Sequence, residues 1–346
     1  MDFKDFTTGK DDEGRRFDRI VRIFLEEKSL PEIYKLIRKG LIKLNHKKTK
    51  PEVHITQGDI ISIASFLLEK EKTLKNSEAQ SESFTTSTAV QASEKSVLNI
   101  VFKNEHLLIL DKPYNRTVHG EKDGLYHDVI SYYENHVKNS KKNGALNSLS
   151  FRPGPLHRLD RLTTGLIVFS LSIEGARWFS EGIKNHTIHK KYYAIALGHI
   201  QNAEQWCDRL SDSQENGIDN KSTTSKVSAS FHTVKQDQNG LEAQTYVKPL
   251  AYGKYKGQPV TFAEYSIKTG RKHQIRAQSS IHKHPLLGDT AYGAYPIKAT
   301  REFYLQAFEL EFPENNPLSL PPVIKIGLSS DFIEQLHYCE IENPGL

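Results

Sequence analysis

Residues 71–96 contain almost no large apolar side chains and are rich in Ser, Thr, Glu and Lys. A segment of this composition cannot bury enough apolar surface to offset the entropy lost on ordering, so we predict a flexible linker there. The chain has 346 residues, which is long enough for two domains. We therefore predict a small domain over residues 14–70 and a larger domain over residues 97–346.

The predicted small domain carries most of the positive charge. Residues 14–50 hold twelve Lys or Arg against four Asp or Glu, a net charge of +8 that exceeds the +5 of the whole chain. Apolar residues recur at helical spacing over 17–25, and a second helix is predicted between Pro31 and Gly40. Short strands, LIKL and DIISIA, are predicted to follow. We expect a small α+β unit with one basic helix face.

Strand-like runs outnumber helical patterns in residues 97–346 and do not alternate strictly with them. This arrangement favours an α+β fold with a mixed, mostly antiparallel central sheet and flanking helices. The run GLIVFS at 165–170 is typical of a buried strand, and a helix is expected over 174–183. The sequence contains neither a glycine-rich phosphate loop nor metal-ligand spacing, so we expect no cofactor and no metal.

Directly before the buried run, HRLDR places His157, Arg158, Asp160 and Arg161 where the chain enters the sheet. A neighbouring guanidinium favours the carboxylate form of Asp160, which suits a base or a nucleophile rather than a general acid. For an isolated Arg–Asp pair the alternative is a salt bridge that only fixes a loop.

Two further stretches combine aromatic and basic side chains. TGRKHQIR at 269–276 contains Arg271, His273 and Arg276, and HKKYYAIALG at 189–198 contains Tyr192 and Tyr193. An aromatic ring, a carboxylate and several arginines together suit a flat, uncharged base that is attached to phosphates. The sequence therefore favours a site for nucleic acid.

GPLHRLDRLTTGLIVFS, KKYYAIALG and TGRKHQIR, the last followed by HPLLGDTAYG, together resemble the RluA/RluC-type family of pseudouridine synthases over roughly 97–311. The resemblance implies the fold of that family and the isomerisation of uridine in RNA without a cofactor. It implies Asp160 as the catalytic aspartate, Arg276 as its basic partner and Tyr192 as the residue that stacks on uracil. Whether Asp160 attacks the sugar or removes a sugar proton stays open.

FDRIVRIFL and YKLIRKGLIKLNHKKTKPEVHITQGDIISI resemble the S-four RNA-binding domain, although Asn45-His46 replaces its usual Asn-Gly turn. In that domain the second helix and the following hairpin carry a basic surface onto structured RNA. The resemblance to the synthase family also gives Arg158 the role of filling the gap left by a flipped nucleotide. The other candidates for RNA binding are Arg161, Arg271, His119, Arg19, Arg38, Lys39 and Lys43. Whether His157, Arg271 and His273 are structural or functional stays open.

An S-four-like segment next to these motifs looks most like the branch of the family that acts on large-subunit ribosomal RNA. We expect RNA as the partner, no membrane and a monomer. A cytoplasmic location is expected because Cys207 and Cys339 form no metal-type pair and no signal peptide is visible.

Two alternatives from other functional classes stay open. The first is a catalytically silent RNA-binding or ribosome-assembly protein on the same fold. The second is a hydrolase that uses Asp160 with His157 or His273, although no nucleophile elbow or second carboxylate accompanies them.

Overall fold

The computed structural model describes residues 2–25, 27–68, 98–120, 124–138, 148–149, 151–212, 233–342 and 344. The predicted linker at 71–96 lies outside these residues. The chain divides into two compact units: Met1–Val97 with Ile130–Pro153, and Leu98–Val129 with Gly154–Leu346. The domain boundaries at 14–70 and 97–346 stay predictions, and residues 130–153 group with the N-terminal unit.

The first unit is a three-stranded antiparallel sheet with two helices, and its strands lie in the order β1-β3-β2. Its elements are β1 (Phe3–Thr7), α1 (Phe17–Phe24), α2 (Leu30–Lys39), β2 (Ile42–Leu44) and β3 (Ile60–Ala64). Both predicted helices and both predicted strands are present. Strand β1 was not predicted, because its five residues form a strand only through pairing with the distant β3.

Local signals explain where helix α2 begins and ends. The Glu32 carboxylate accepts hydrogen bonds from the backbone N–H and the hydroxyl of Ser29, which closes a capping box at the first turn. Gly40 ends the helix with a φ of 72°, a left-handed conformation that glycine adopts without steric cost. The resulting helix buries Ile33 and Ile37 against the core of the unit.

The turn at Asn45-His46 has left-handed backbone at both positions, with φ values of 50° and 62°. Leu44 and Lys47 exchange two backbone hydrogen bonds, of 3.0 and 2.9 Å, across it. These features define a two-residue hairpin turn of the type that Asn-Gly usually forms. His46 therefore adopts the backbone conformation of the glycine that it replaces.

We predict that His46→Gly stabilises this hairpin by about 0.5 kcal/mol, because glycine removes the cost of a left-handed conformation. The gain is reduced by loss of the 3.2 Å contact between His46 Nδ1 and Ser62 Oγ. Asn45→Gly is the matched control and should destabilise it, because Asn45 Oδ1 accepts the Ile60 N–H at 2.8 Å. Amide hydrogen exchange in β2 and β3 measures both effects. Equal changes in the amide exchange rates of the two variants would contradict the prediction.

The second unit is built on a ten-stranded sheet, counted over the described residues. Nine strands lie in the order β4-β5-β6-β12-β7-β11-β10-β8-β9, with β13 paired to β12, and every pairing except β6–β12 is antiparallel. The predicted mixed, mostly antiparallel α+β fold is confirmed. The strands are β4 (Ile100–Lys103), β5 (Leu107–Lys112), β6 (Thr164–Ser170), β7 (His189–Leu197), β8 (Glu204–Asp212), β9 (Val234–Gln236), β10 (Leu241–Tyr255), β11 (Gln258–Ile267), β12 (Leu305–Glu311) and β13 (Val323–Lys325).

Four more helices complete the description: α3 (Leu125–Tyr132), α4 (Ile173–Lys184), α5 (Gln274–Ile281) and α6 (Ser330–Tyr338). A wider helical turn, Tyr133–Lys138, continues α3. Helix α4 matches the helix predicted over 174–183. Among the described helices, none has the length and apolarity needed to cross a membrane.

Strand β6 is buried along its whole length, as its apolar run predicts. It lies beside β12 in the single parallel pairing described, with Gly165 opposite Ala307. Gly165 has a φ of 104°, and a Cβ there would lie 2.1 Å from the Ala307 carbonyl oxygen. Only glycine fits this close approach, which fixes the point where the chain leaves the HRLDR loop and enters the sheet.

Candidate active site

The HRLDR loop is anchored to β6 on its N-terminal side. Leu156 N–H donates to Val168 O at 2.8 Å, and Ser170 N–H donates to Gly154 O at 2.9 Å. Residues 154–156 therefore lie alongside β6. The chain then reverses its direction and continues into β6 itself. Within the reversal, Thr163 N–H donates to Asp160 O at 3.1 Å, which places Asp160 at a tight turn.

His157 has a structural role in this loop. Its Nε2 accepts the Val168 N–H at 3.1 Å, and its ring stacks on Phe179 with centroids 5.9 Å apart. Burial lowers the pKa of His157 to about 3, so the ring is neutral. These contacts fix the ring within the loop, and its other nitrogen, Nδ1, is buried without a partner among the described residues.

Asp160 faces two side chains from the TGRKHQIR stretch. Its Oδ2 lies 3.7 Å from His273 Nε2 and 3.9 Å from Arg276 Nη1, and its side chain is 17% exposed. Both separations are longer than hydrogen bonds, so neither His273 nor Arg276 occupies the lone pairs of this carboxylate. Two stretches far apart in sequence thus meet at one carboxylate.

Arg276 is held mainly by Asp289, a residue that sequence reasoning did not assign to the site. Arg276 Nε and Nη2 donate to the two Asp289 oxygens at 2.7 and 2.8 Å. The guanidinium also lies 4.9 Å from the Tyr292 ring centroid and 4.5 Å from that of Phe303. Burial opposes its charge, but the bonds to Asp289 raise the pKa of Arg276. Arg276 is therefore a fixed cation that presents only Nη1 to Asp160.

His273 connects Asp160 to a buried tyrosine. Its Nδ1 lies 2.9 Å from the Tyr292 hydroxyl, which also accepts the Val234 N–H at 2.9 Å. Burial lowers the pKa of His273, although the charge of Asp160 opposes this shift. His273 adopts a left-handed φ of 49° immediately before α5, so the turn itself directs this ring towards Asp160.

Tyr192 lies on β7 with its side chain only 5% exposed, and Tyr193 points to the opposite face as strand alternation predicts. Tyr193 stacks on Phe308 with centroids 3.5 Å apart. Burial and the nearby charge of Asp160 raise the pKa of Tyr192. The phenol therefore keeps its proton. Of the three predicted catalytic residues, Asp160 and Arg276 lie within 3.9 Å of each other, and the charge of Asp160 acts on Tyr192.

Lys112, in the LDKP stretch, is a second residue whose importance the sequence did not reveal. It is fully buried, and its Nζ donates to the carbonyl oxygens of Pro113, Arg116 and Arg161 at 2.8 to 2.9 Å. Burial lowers the pKa of Lys112 to about 7, yet three donated bonds require the ammonium form. Lys112 thus joins the loop after β5 to the HRLDR loop.

The predicted RNA-binding residues of the second unit lie at its surface. Arg158, Arg161 and His119 are exposed. Arg271 is also exposed, and its Nε donates to the Glu242 carbonyl at 2.9 Å. None of these four is in the group around Asp160. Over the described part of the chain, no three His, Cys, Asp or Glu side chains are grouped as metal ligands.

The predicted RNA-binding residues of the first unit differ in accessibility. Arg19 on α1 and Arg38 and Lys39 on α2 are exposed. Lys43 on β2 is half-buried, with its ammonium 4.2 Å from the centroid of the Phe3 ring. The first three can reach a phosphate directly, whereas the ammonium of Lys43 already makes a cation–π contact with Phe3.

Comparison with known proteins identifies the family of this chain. Residues 106–280 match the family model described as RNA pseudouridylate synthase. The chain is 27% identical to a ribosomal large subunit pseudouridine synthase C of Vibrio vulnificus, over 81% of this chain and 77% of that protein. It is 31% identical to a tRNA pseudouridine synthase C of Vibrio cholerae, over 67% of this chain and 91% of that protein.

A solved structure supports the same fold. Human RNA Pseudouridylate Synthase Domain Containing 4 matches 71% of this chain and 95% of its own, with a TM-score of 0.53 and 20% identity. The family predicted from HRLDR, KKYYAIALG and TGRKHQIR is confirmed. The chain belongs to the RNA pseudouridylate synthase family, and it is an isomerase that acts on uridine in RNA.

Proposed function

We propose that this enzyme isomerises specific uridines in large-subunit ribosomal RNA and that Asp160 is its catalytic carboxylate. One observation supports the role of Asp160 most strongly: its carboxylate faces Arg276 and His273 in a partly open site that also contains Tyr192. The relatives support the choice of RNA. Similarity to the large-subunit enzymes of two Vibrio species covers 81% and 86% of the chain, against 67% for the tRNA enzyme.

The reaction rearranges bonds without consuming another reactant. The bond between ribose C1′ and uracil N1 breaks, and a bond between C1′ and C5 forms after the base has turned. N1 gains a proton and C5 loses one, so the reaction is balanced without oxidant, reductant or water. The chain therefore has to supply an anion near the ribose, a surface that retains the detached base, and a pocket for a nucleotide that has left its stack.

Asp160 supplies the anion, either as a nucleophile at C1′ or as a base at the ribose. Arg276 only partly compensates the negative charge of Asp160, because two of its nitrogens are bound to Asp289. Tyr192 supplies a flat ring for uracil, and its raised pKa keeps its hydroxyl available as a hydrogen-bond donor rather than as a phenolate. Lys112 holds the loop that carries Asp160 against the loop after β5, because its ammonium donates to a carbonyl of each.

The direct test uses purified protein with transcribed large-subunit ribosomal RNA, small-subunit ribosomal RNA and pooled transfer RNA. Pseudouridine is mapped by carbodiimide labelling and primer extension. We expect conversion at discrete large-subunit positions and none in the other RNAs. Conversion restricted to transfer RNA would overturn the proposed substrate, and conversion of no RNA would overturn the proposed activity of this chain.

The first unit is proposed to bind RNA through its exposed basic residues, as the S-four resemblance implies. We predict that the triple variant Arg19→Gln, Arg38→Gln, Lys39→Gln binds the converted ribosomal RNA more weakly. The slope of log affinity against log salt should fall by about 2 to 3, because each lost phosphate contact removes close to one unit. Filter binding at several salt concentrations measures this slope.

The matched control neutralises three exposed lysines on strands of the second unit: Lys235, Lys254 and Lys325. It changes the net charge by the same amount. If both triple variants lose the same affinity and slope, the effect is one of overall charge and the first unit is not the binding surface.

A further inference from the structure

Lys190 is a buried cation that the proposed chemistry does not use. It lies on β7 two residues before Tyr192, so both side chains point to the same face of the sheet, and it is 5% exposed. Its neighbour Lys191 points to the other face and donates to Glu309 and Glu311 at 2.8 and 2.5 Å. The two adjacent lysines therefore have opposite environments.

Across the described residues, Lys190 Nζ has neither a hydrogen-bond partner nor an ion pair. Burial lowers the pKa of Lys190 to about 8, and no carboxylate in the described part of the chain opposes that shift. Among the described residues, Nζ is not one of the fully buried polar atoms that lack a partner, so part of it stays open to solvent. An unpaired ammonium at the end of a largely buried side chain is therefore placed to bind an anion from solution.

The position of the ammonium relates it to the site. A Cβ on Gly270 would lie 3.4 Å from Lys190 Nζ, and Gly270 itself is exposed. The ammonium therefore lies below an exposed glycine, in the turn that leads to His273 and Arg276. Its charge also adds to the burial that lowers the pKa of His157, in the HRLDR loop. Lys190 thus lies below the turn that carries His273 and Arg276 to Asp160.

RNA carries a phosphate on each side of every nucleotide, and a nucleotide whose base reaches Tyr192 brings both phosphates into this region. Gly270 has no side chain to cover the ammonium, so an anion can approach it there. We propose that Lys190 is the counter-ion for a backbone phosphate that directly flanks the target uridine. This inference rests on the proposed function, because it requires RNA in the site around Asp160.

The test compares Lys190→Met with Lys191→Met, both in an Asp160→Asn background so that binding is measured without conversion. Each variant removes one positive charge from the same strand. Lys190→Met should bind the converted ribosomal RNA fragment about tenfold more weakly, with the salt slope reduced by about 1. Lys191→Met should leave both unchanged, because Glu309 and Glu311 already neutralise Lys191.

The free proteins provide a second measurement that also checks folding. Removing an unpaired buried charge should keep or raise the melting temperature of Lys190→Met. Lys191→Met should lower it, because Glu309 and Glu311 lose their shared cation. A folded Lys190→Met protein whose affinity and salt slope equal those of Lys191→Met would overturn the proposal.

Modified RNA identifies the phosphate. Methylphosphonate replaces the charged linkage on one side of the target uridine at a time. We expect the affinity difference between the Asp160→Asn parent and its Lys190→Met derivative to vanish for one of the two RNAs. A difference that persists in both RNAs would overturn the proposal. Failure of the Asp160→Asn parent to bind any RNA would instead count against the proposed function.

Discussion

Replacement of Asp160 by asparagine is expected to abolish pseudouridine formation while the protein stays folded and still binds RNA. The side chain keeps its shape but loses the charge that attack on the sugar or removal of a sugar proton requires. Loss of an essential catalytic group typically lowers kcat by about 10⁴-fold or more. Tritium release from C5-labelled uridine in RNA measures the remaining activity.

The contacts of Asp160 explain why folding should survive. Its Oδ2 lies 3.7 Å from His273 Nε2 and 3.9 Å from Arg276 Nη1, and Arg276 remains bound to Asp289 when the charge of Asp160 is lost. Asp212→Asn is a suitable control, because it removes an exposed carboxylate that lies 3.2 Å from Lys272 Nζ. We expect this control to retain wild-type activity. Substantial turnover by Asp160→Asn would show that another residue is the catalytic group.

Replacement of Asp289 by asparagine is the second change with a large expected effect. Asp289 is 1% exposed and holds Arg276 through two charge-assisted hydrogen bonds. Its neutralisation leaves a buried guanidinium without its partner, which typically costs about 3 to 5 kcal/mol of stability. Arg276 then becomes free to pair closely with Asp160, so we expect kcat to fall by about 100-fold with a smaller change in KM.

A second Arg–Asp pair, formed by the buried Arg301 and the half-buried Asp331, separates the catalytic effect from the loss of stability. Arg301 is 6% exposed, and its Nη2 donates to Asp331 at 2.7 Å. Asp331→Asn should lower the melting temperature but leave kcat within about threefold of wild type, because Arg276 keeps its partner. If Asp289→Asn also keeps kcat within about threefold of wild type at a temperature where it is folded, Asp289 acts only through stability.

The residues that the sequence made predictable are those with a local signature. HRLDR directly before an apolar run pointed to Asp160 at the entrance of a buried strand, and β6 is that strand. The resemblance of KKYYAIALG to the family singled out Tyr192 from the doubled tyrosine. The structure agrees with strand alternation, since Tyr192 is buried and Tyr193 packs on Phe308. Helix α2 was predictable because its proline and glycine signals lie within a few residues of its ends.

The features that escaped prediction depend on contacts between distant residues. The principal partner of Arg276 is Asp289, which lies 13 residues later in the sequence. The positions of the two aspartates in the sequence do not indicate whether Arg276 binds Asp289 or Asp160. In the sequence, Lys112 is only the last residue of a strand-like run. Its bond to the Arg161 carbonyl forms because the fold brings these distant residues together. Strand β1 and the parallel pairing of β6 with β12 likewise require a distant partner that local periodicity does not encode.

The most direct test of the account is to map pseudouridines in the ribosomal and transfer RNA of cells with and without this gene. The deleted strain is complemented in parallel with the wild-type chain and with Asp160→Asn. We predict that specific large-subunit pseudouridines disappear on deletion and return only with the wild-type chain. Restoration by Asp160→Asn, or losses confined to transfer RNA, would contradict it.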